Sequence, residues 1–145
     1  MRQRLSEVDR DIMIPMYWRR AAYTWTVGPT ALTVAMGTTA LITTPITLTE
    51  TSHVKVFGKV VVVSPGNVWT LLEMSVWRDA VVLDYGYAYA NNNSGTPSLH
   101  STGIAQGEDN SLVAGAYNFY LKGKADTNNL NAYYMVLAID IARAL

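Results

Sequence analysis

The 145-residue chain has no cysteine and only two histidines, His53 and His100. Without cysteine it can form neither disulfides nor thiolate metal sites, and two isolated histidines do not make a zinc site. It also lacks a glycine-rich phosphate loop and a nucleophile-elbow motif. The sequence therefore predicts a non-enzymatic protein with no catalytic residue, no metal and no cofactor.

Charged residues are also few. They make up 15% of the chain, against 50% hydrophobic residues, and the formal net charge is zero. A balanced chain has no overall attraction to nucleic acid or to anionic lipid, so neither is a predicted partner. So sparse a set of charges indicates that part of the surface contacts another polypeptide. The alternative is a well-packed monomer with a polar face rich in threonine and asparagine.

Long apolar runs are missing too. No stretch approaches the length of a transmembrane segment without threonine, glycine or proline, and the N-terminus does not resemble a signal peptide. A chain of this length is expected to fold as one domain that buries a sizeable core.

Residues 1–20 differ from the rest, because they hold five of the seven arginines. Apolar residues recur there at helical spacing, and Pro15 ends the pattern. We predict a partly helical N-terminal arm over residues 1–20, followed by a β-sandwich domain over 21–145. The arm residues predicted to bind a partner are Leu5, Val8, Ile12, Tyr17, Trp18, Arg19 and Arg20. The alternative is a terminal segment that folds back on its own domain.

Beyond the arm, short apolar-alternating segments are separated by turns. They predict strands at 22–27, 32–36, 40–49, 53–63, 68–78, 81–90, 99–105, 115–125 and 133–141. Polar loops are predicted at 91–97 and 106–111. Strands at about ten-residue spacing are typical of an antiparallel β-sandwich or jelly roll, so the predicted fold class is all-β.

Aromatic residues are the most distinctive candidates for contact. Tyr85, Tyr87 and Tyr89 alternate along one predicted strand and therefore share a face, as do Trp69 and Trp77 on another. Such a row can lie in a core, line a subunit interface or stack on sugars; core or interface is the favoured interpretation. The candidate interface or sugar-contact residues are Trp77, Tyr85, Tyr87 and Tyr89.

Acidic residues are weaker candidates for a functional site. Glu108 and Asp109 form the only adjacent acidic pair outside the arm, and with Asp126 they supply oxygen ligands of the kind calcium prefers. The favoured interpretation is a solvated loop.

Three segments carry a resemblance to a known class of protein. Residues 75–83 (SVWRDAVVL) resemble a hairpin of small structural proteins of tailed bacteriophages, in which a strand ends in an Arg-Asp pair and turns directly into the next. Residues 109–122 (DNSLVAGAYNFYLK) resemble the companion loop and strand, and residues 133–141 the closing strand. Together these segments cover roughly residues 53–142.

The resemblance implies a jelly-roll or TNF-like sandwich that commonly forms homotrimers and serves as a capsid decoration (cement) protein. Such a protein is assembled in the host cytoplasm and lies on the virion surface, where its arm contacts the major capsid protein or another virion subunit. The alternative is a carbohydrate- or receptor-binding module of a phage tail or fibre, which would use the tyrosine row or the 91–97 loop.

Overall fold

The structure, a computed structural model, describes residues 17–33, 40–64, 69–90, 101–126 and 130–144. Across these ranges all regular elements are strands, and there is no helix long and apolar enough to cross a membrane. The strands are β1 (Arg19–Leu32), β2 (Ala40–Leu48), β3 (Ser52–Val63), β4 (Thr70–Arg78), β5 (Val81–Ala90), β6 (Ser101–Leu112), β7 (Gly115–Ala125) and β8 (Leu130–Arg143).

The strands form two four-stranded antiparallel sheets. Sheet A has the order β1-β8-β3-β6 and sheet B the order β2-β7-β4-β5. The pairs β1–β8 and β3–β6 lie in sheet A, and the pairs β2–β7 and β4–β5 lie in sheet B. This is the connectivity of one long hairpin that turns between β4 and β5 and is folded over on itself. The predicted all-β antiparallel sandwich is confirmed.

The core lies between the sheets because alternate residues of each strand point inward. Leu72, Met74 and Val76 of β4 are fully buried, as are Phe119 and Leu121 of β7, as strict alternation along these strands predicts. Full burial of each aliphatic or aromatic side chain contributes roughly 1.5–3 kcal/mol. These inward rows leave the opposite faces of both sheets directed outward.

The two sheets come close together at the edge formed by β5 and β6. A Cβ atom added to Gly86 would lie 2.1 Å from the carbonyl oxygen of Ile104, and one added to Gly107 would lie 2.4 Å from the Cβ of Leu83. No side chain fits at either position, so glycine is required for this approach. At the opposite edge, the hydroxyls of Thr24 (β1) and Thr44 (β2) lie 2.9 Å apart.

The predicted strand bounds differ most from the structure at β1, β6 and β8, the last of which runs from Leu130 to Arg143 rather than over 133–141. β1 does not end before Gly28 but continues to Leu32, because a register shift between Val27 and Thr30 accommodates the Gly-Pro pair. The predicted loop at 106–111 is part of β6, which pairs with β3 along this stretch. Its polar residues are those of an edge strand, which is only half covered. Of the predicted strand 32–36, Leu32 closes β1, and 34–36 lie outside the described residues.

In β8, one residue departs from simple alternation. Tyr133 has the same parity as the buried residues Met135 and Leu137, which predicts an inward side chain, but it is 37% exposed. The register against β3 shifts between Val61, opposite Tyr134, and Val62, opposite Ala132, so the bulge falls at Tyr133. Because of this single-residue bulge, the inward-facing side chains of β8 change from even-numbered to odd-numbered positions.

Candidate interaction surfaces

The outer face of sheet A consists of four rows of directly paired residues. Residues opposite one another in antiparallel strands place their side chains on the same face. Reading across β1, β8, β3 and β6, the rows are Arg20–Asp140–Lys55–Glu108, Tyr23–Ala138–Phe57–Gln106, Trp25–Val136–Lys59–Ile104 and Val27–Tyr134–Val61–Thr102. We call the first the charge row and the other three the apolar rows.

The apolar rows expose a hydrophobic patch that surrounds one charged residue, Lys59. Tyr23, Trp25 and Ile104 are each between 51% and 57% exposed. Val136 and Ala138 are almost fully buried although they lie on the outer face, since larger neighbours in the same rows flank them. Large exposed apolar patches mark contact sites on folded proteins. This face is therefore the first candidate interaction surface.

The charge row borders the patch with alternating signs. Arg20 donates from Nε and Nη2 to the two carboxylate oxygens of Asp140, and Nζ of Lys55 lies 3.5 Å from Oε1 of Glu108. Both pairs are largely exposed, so each contributes little to the stability of the single chain. The four charges read plus, minus, plus, minus across the sheet.

The end of the predicted arm lies against the same face. Nζ of Lys55 is 4.3 Å from the centroid of the Trp18 ring, in a cation–π contact. Tyr17 is 82% exposed, and Arg19 and Arg20 belong to β1, so the sheet begins two residues before the predicted boundary. The other predicted arm contacts (Leu5, Val8 and Ile12), together with the predicted helix, lie outside the described residues.

The outer face of sheet B carries the predicted tyrosine row. Tyr85, Tyr87 and Tyr89 project from the edge strand β5 and are each more than half exposed, so they do not line the core. Trp77 of β4 is half-buried on the same face, and Trp69, which precedes β4, is exposed. The interpretation as a core row is wrong for these tyrosines; interface or sugar contact remains a prediction.

A groove of about 240 Å³ lies beside this row. Its side-chain lining includes Glu73, Ser75, Trp77, Tyr85, Tyr87 and Lys124. Nε1 of Trp77 donates to Oγ of Ser75 at 2.7 Å, which fixes the indole ring, and Nζ of Lys124 lies 2.8 Å from Oε2 of Glu73. The hydrogen bond and the charge of Glu73 raise the pKa of Lys124 above its ordinary value. The groove thus combines aromatic faces with a fixed ion pair.

Among the described residues, the predicted oxygen ligands are not gathered into one site. Asp109 pairs with Arg78 at 2.6 Å, Asp126 accepts a hydrogen bond from the amide of Leu71, and Glu108 lies in the charge row. The three predicted oxygen ligands therefore have separate partners. In the part of the chain that the structure describes, no group of three or more histidine, aspartate or glutamate side chains is placed to hold a metal ion.

Sequence reasoning missed most of the sheet A surface. The alternation of Tyr23, Trp25 and Val27 was a visible signal for an outward apolar face on β1. Phe57 and Ile104 join that face only through strand pairings between segments far apart in the chain. Periodicity within a strand shows which residues share a face but does not show which strands are neighbours.

Comparison with protein-family models, with curated proteins and with solved structures gives no match for this chain.

Proposed function

We propose that the chain is a non-enzymatic structural protein of a virus particle, most specifically a capsid cement protein that bridges and stabilises shell subunits. The observation that carries the proposal is the apolar patch on the outer face of sheet A, centred on Tyr23, Trp25 and Ile104. The reason for proposing a virus particle is that segments within residues 53–142 resemble structural proteins of tailed bacteriophages. The partner that this function requires is the major capsid protein or another shell subunit.

The strand order supports the proposal at the level of the fold. Two four-stranded sheets in which the pairs β1–β8, β2–β7, β3–β6 and β4–β5 alternate are the arrangement expected of a jelly roll, which supports this finer assignment. Jelly rolls are common among viral capsid and lectin domains. Because one fold serves both, the fold by itself does not choose between them, and the choice rests on the surfaces.

A cement protein acts by adding its binding free energy to the assembled state. Whatever binds the assembled shell and not its separated subunits stabilises the shell by mass action. Burial of apolar area contributes about 25 cal/mol per Å², less the cost of ordering the arm. Exposed aromatic side chains suit this role, since they bury a large area for few rotatable bonds.

A reconstitution experiment tests the role of the arm. Deletion of residues 1–16 leaves β1 intact, because that strand begins at Arg19. Shells prepared without the protein are mixed with the full chain or the deletion variant and sedimented. We expect both proteins to show the β-sheet signal in their circular dichroism spectra, and only the full chain to sediment with the shells. Full occupancy by the deletion variant would contradict the role of the arm.

The groove on sheet B favours a second candidate function, carbohydrate binding by a tail or fibre module. Trp77, Tyr85 and Tyr87 present aromatic faces on which sugar rings can stack, and Glu73 and Lys124 offer charged hydrogen-bonding groups beside them. The 240 Å³ volume suits one or two sugar units rather than a long chain.

A glycan array followed by calorimetry tests this second function. Saturable binding that is lost in Tyr87→Ala and kept in Tyr23→Ala would support it, since Tyr23 is an exposed tyrosine of similar burial on the other sheet. The absence of binding to any glycan, with the protein folded, would exclude it.

A further inference from the structure

We propose that a second copy of this chain docks on the outer face of sheet A, related to the first by a two-fold axis parallel to the strands. The proposal goes beyond the proposed function: in the free protein the second copy covers the sheet A face, and a shell subunit displaces it from the same patch. It can be tested on the isolated protein, without any virus particle.

The charge row is complementary to its own reversed image. A two-fold axis along the strands sets each row against the same row of the partner copy in the opposite order. Arg20 then faces Glu108 of the partner subunit, and Asp140 faces Lys55 of the partner subunit. All four cross-contacts join opposite charges, which is the electrostatic complementarity that fixes register at interfaces. The Trp18 ring, which lies over Nζ of Lys55 in the single chain, must move aside for the contact with Asp140 of the partner subunit.

The apolar rows are complementary in size under the same operation. Their one charged residue, Lys59, faces Val136 of the partner subunit, and its Nζ lies 5.9 Å from the centroid of the Tyr134 ring of its own chain. Small Ala138 faces the large Phe57 of the partner subunit, and Tyr134 faces Val61 of the partner subunit. Trp25, the largest exposed side chain of the patch, faces Ile104 of the partner subunit. Side chains of unequal size opposite one another interdigitate, as they do when two sheets pack face to face.

Other arrangements of the same two faces lack this match. A two-fold axis across the strands would set the charge row against the row from Val27 to Thr102, leaving the charges facing an apolar row. An interface that closes a three-fold ring joins two different surfaces, so it would not use the self-complementarity of this face. The pairing of signs therefore selects one symmetric dimer.

The size of the face sets the expected affinity. Four strands about 4.8 Å apart and four rows about 6.7 Å apart make a contact of roughly 19 Å by 27 Å on each copy. Such a contact lies at the low end of the range for specific interfaces, where reversible association is usual. We expect a dimer with a dissociation constant in the micromolar range.

Sedimentation equilibrium of the full chain in 0.15 M NaCl tests the proposal. The wild-type protein is expected to approach twice the 16.0 kDa chain mass as its concentration rises from ~1 to ~300 µM. The decisive variant is the double swap Lys55→Glu with Glu108→Lys. It keeps the pair within one chain but turns all four cross-contacts into like charges. The dissociation constant should rise at least tenfold, and the effect should shrink in 1 M NaCl because salt screens exposed charges.

Two further variants make the result specific. Adding Arg20→Asp and Asp140→Arg to the double swap reverses every sign in the row, so dimer affinity should return to within threefold of the wild type. The matched control swaps an ion pair on the other sheet, Glu73→Lys with Lys124→Glu, and should leave dimer affinity unchanged. Should the double swap fail to fold, Ile104→Arg places a charge at an exposed position of the patch and should likewise abolish the dimer.

Several outcomes would overturn the proposal. These are a wild-type monomer at all concentrations, a trimer, and a dimer that the double swap does not weaken. A dimer that forms only after residues 1–16 are deleted would show that the arm, not a second copy, covers this face. A dimer that fails to bind shells would contradict the proposed function alone, whereas a shell-binding monomer would contradict this inference alone.

Discussion

At the scale of single residues, the β4–β5 turn shows how one side chain fixes a connection. Asp79 has a φ of 48°, a left-handed conformation that aspartate tolerates better than most residues. Its amide donates to the carbonyl of Asn118 at 2.8 Å, and its Oδ1 accepts from the amide of Asn118 at 3.0 Å. The turn was predicted from the sequence, but its attachment to β7 was not, because Asn118 lies 39 residues away.

We predict that Asp79→Ala lowers the free energy of unfolding by about 2 kcal/mol, because it removes a charged acceptor and places alanine at positive φ. Asp79→Asn keeps both the acceptor and the tolerance of this conformation, so it should cost less than about 0.5 kcal/mol. Urea unfolding of both variants measures the difference. Equal stability of the two would contradict this account of the turn.

Two exposed side chains, those of Tyr134 and Lys124, predict how the stability of the fold changes at alkaline pH. The hydroxyl contact with Tyr23, 3.3 Å away, raises the pKa of Tyr134 above 10.0, and Glu73 raises the pKa of Lys124 above 10.5. In both cases the folded state favours the protonated form. The stabilisation is therefore complete below the pKa of the unfolded chain and is lost as the pH rises through the folded value.

The urea midpoint should accordingly fall between pH 9 and pH 11. Tyr23→Phe removes the hydroxyl that raises the pKa of Tyr134, so the fall should be smaller in this variant than in the wild type. A midpoint that stays constant or rises over this range in the wild-type protein would contradict the assignment.

At the scale of elements, the sequence predicted strands best where turns are short and alternation is strict. β5 and β7 have the predicted bounds, 81–90 and 115–125. β6 was predicted too short because its second half is polar, and only its position at the edge of sheet A explains how polar residues remain in a strand. Propensity describes a residue alone, whereas strand formation here depends on pairing with β3.

The close approach of β5 and β6 gives a prediction at this scale. Gly86→Ala should lower the free energy of unfolding by about 3 kcal/mol, because the new methyl group would overlap the backbone carbonyl of Ile104. Gly115→Ala is the matched control in a strand. There the nearest atom is 3.4 Å away at the end of the Tyr117 side chain, so the cost should stay below about 1 kcal/mol.

Chemical denaturation of both glycine variants tests the packing of the sandwich edge. A Gly86→Ala protein as stable as Gly115→Ala would show that the two strands do not approach as closely as described.

At the scale of the whole molecule, the sequence showed that aromatic residues alternate on strands but not where those strands lie. The row from Tyr85 to Tyr89 was identified in full, yet its exposure depends on β5 being an edge strand of sheet B. The patch around Trp25 and Phe57 depends on the order β1-β8-β3-β6, which joins the first and last strands of the chain. Long-range pairing, rather than any local motif, creates the surface on which the proposed function rests.

The measurement that tests this function most directly is the amount of the protein in purified virus particles. Particles are isolated on a density gradient from cells that produce the chain, and quantitative peptide mass spectrometry compares it with the main shell protein. We predict a fixed ratio of the two proteins across particle preparations, with loss of the chain lowering the temperature at which the shells open. Recovery of the chain only in the fractions free of particles would contradict the proposal.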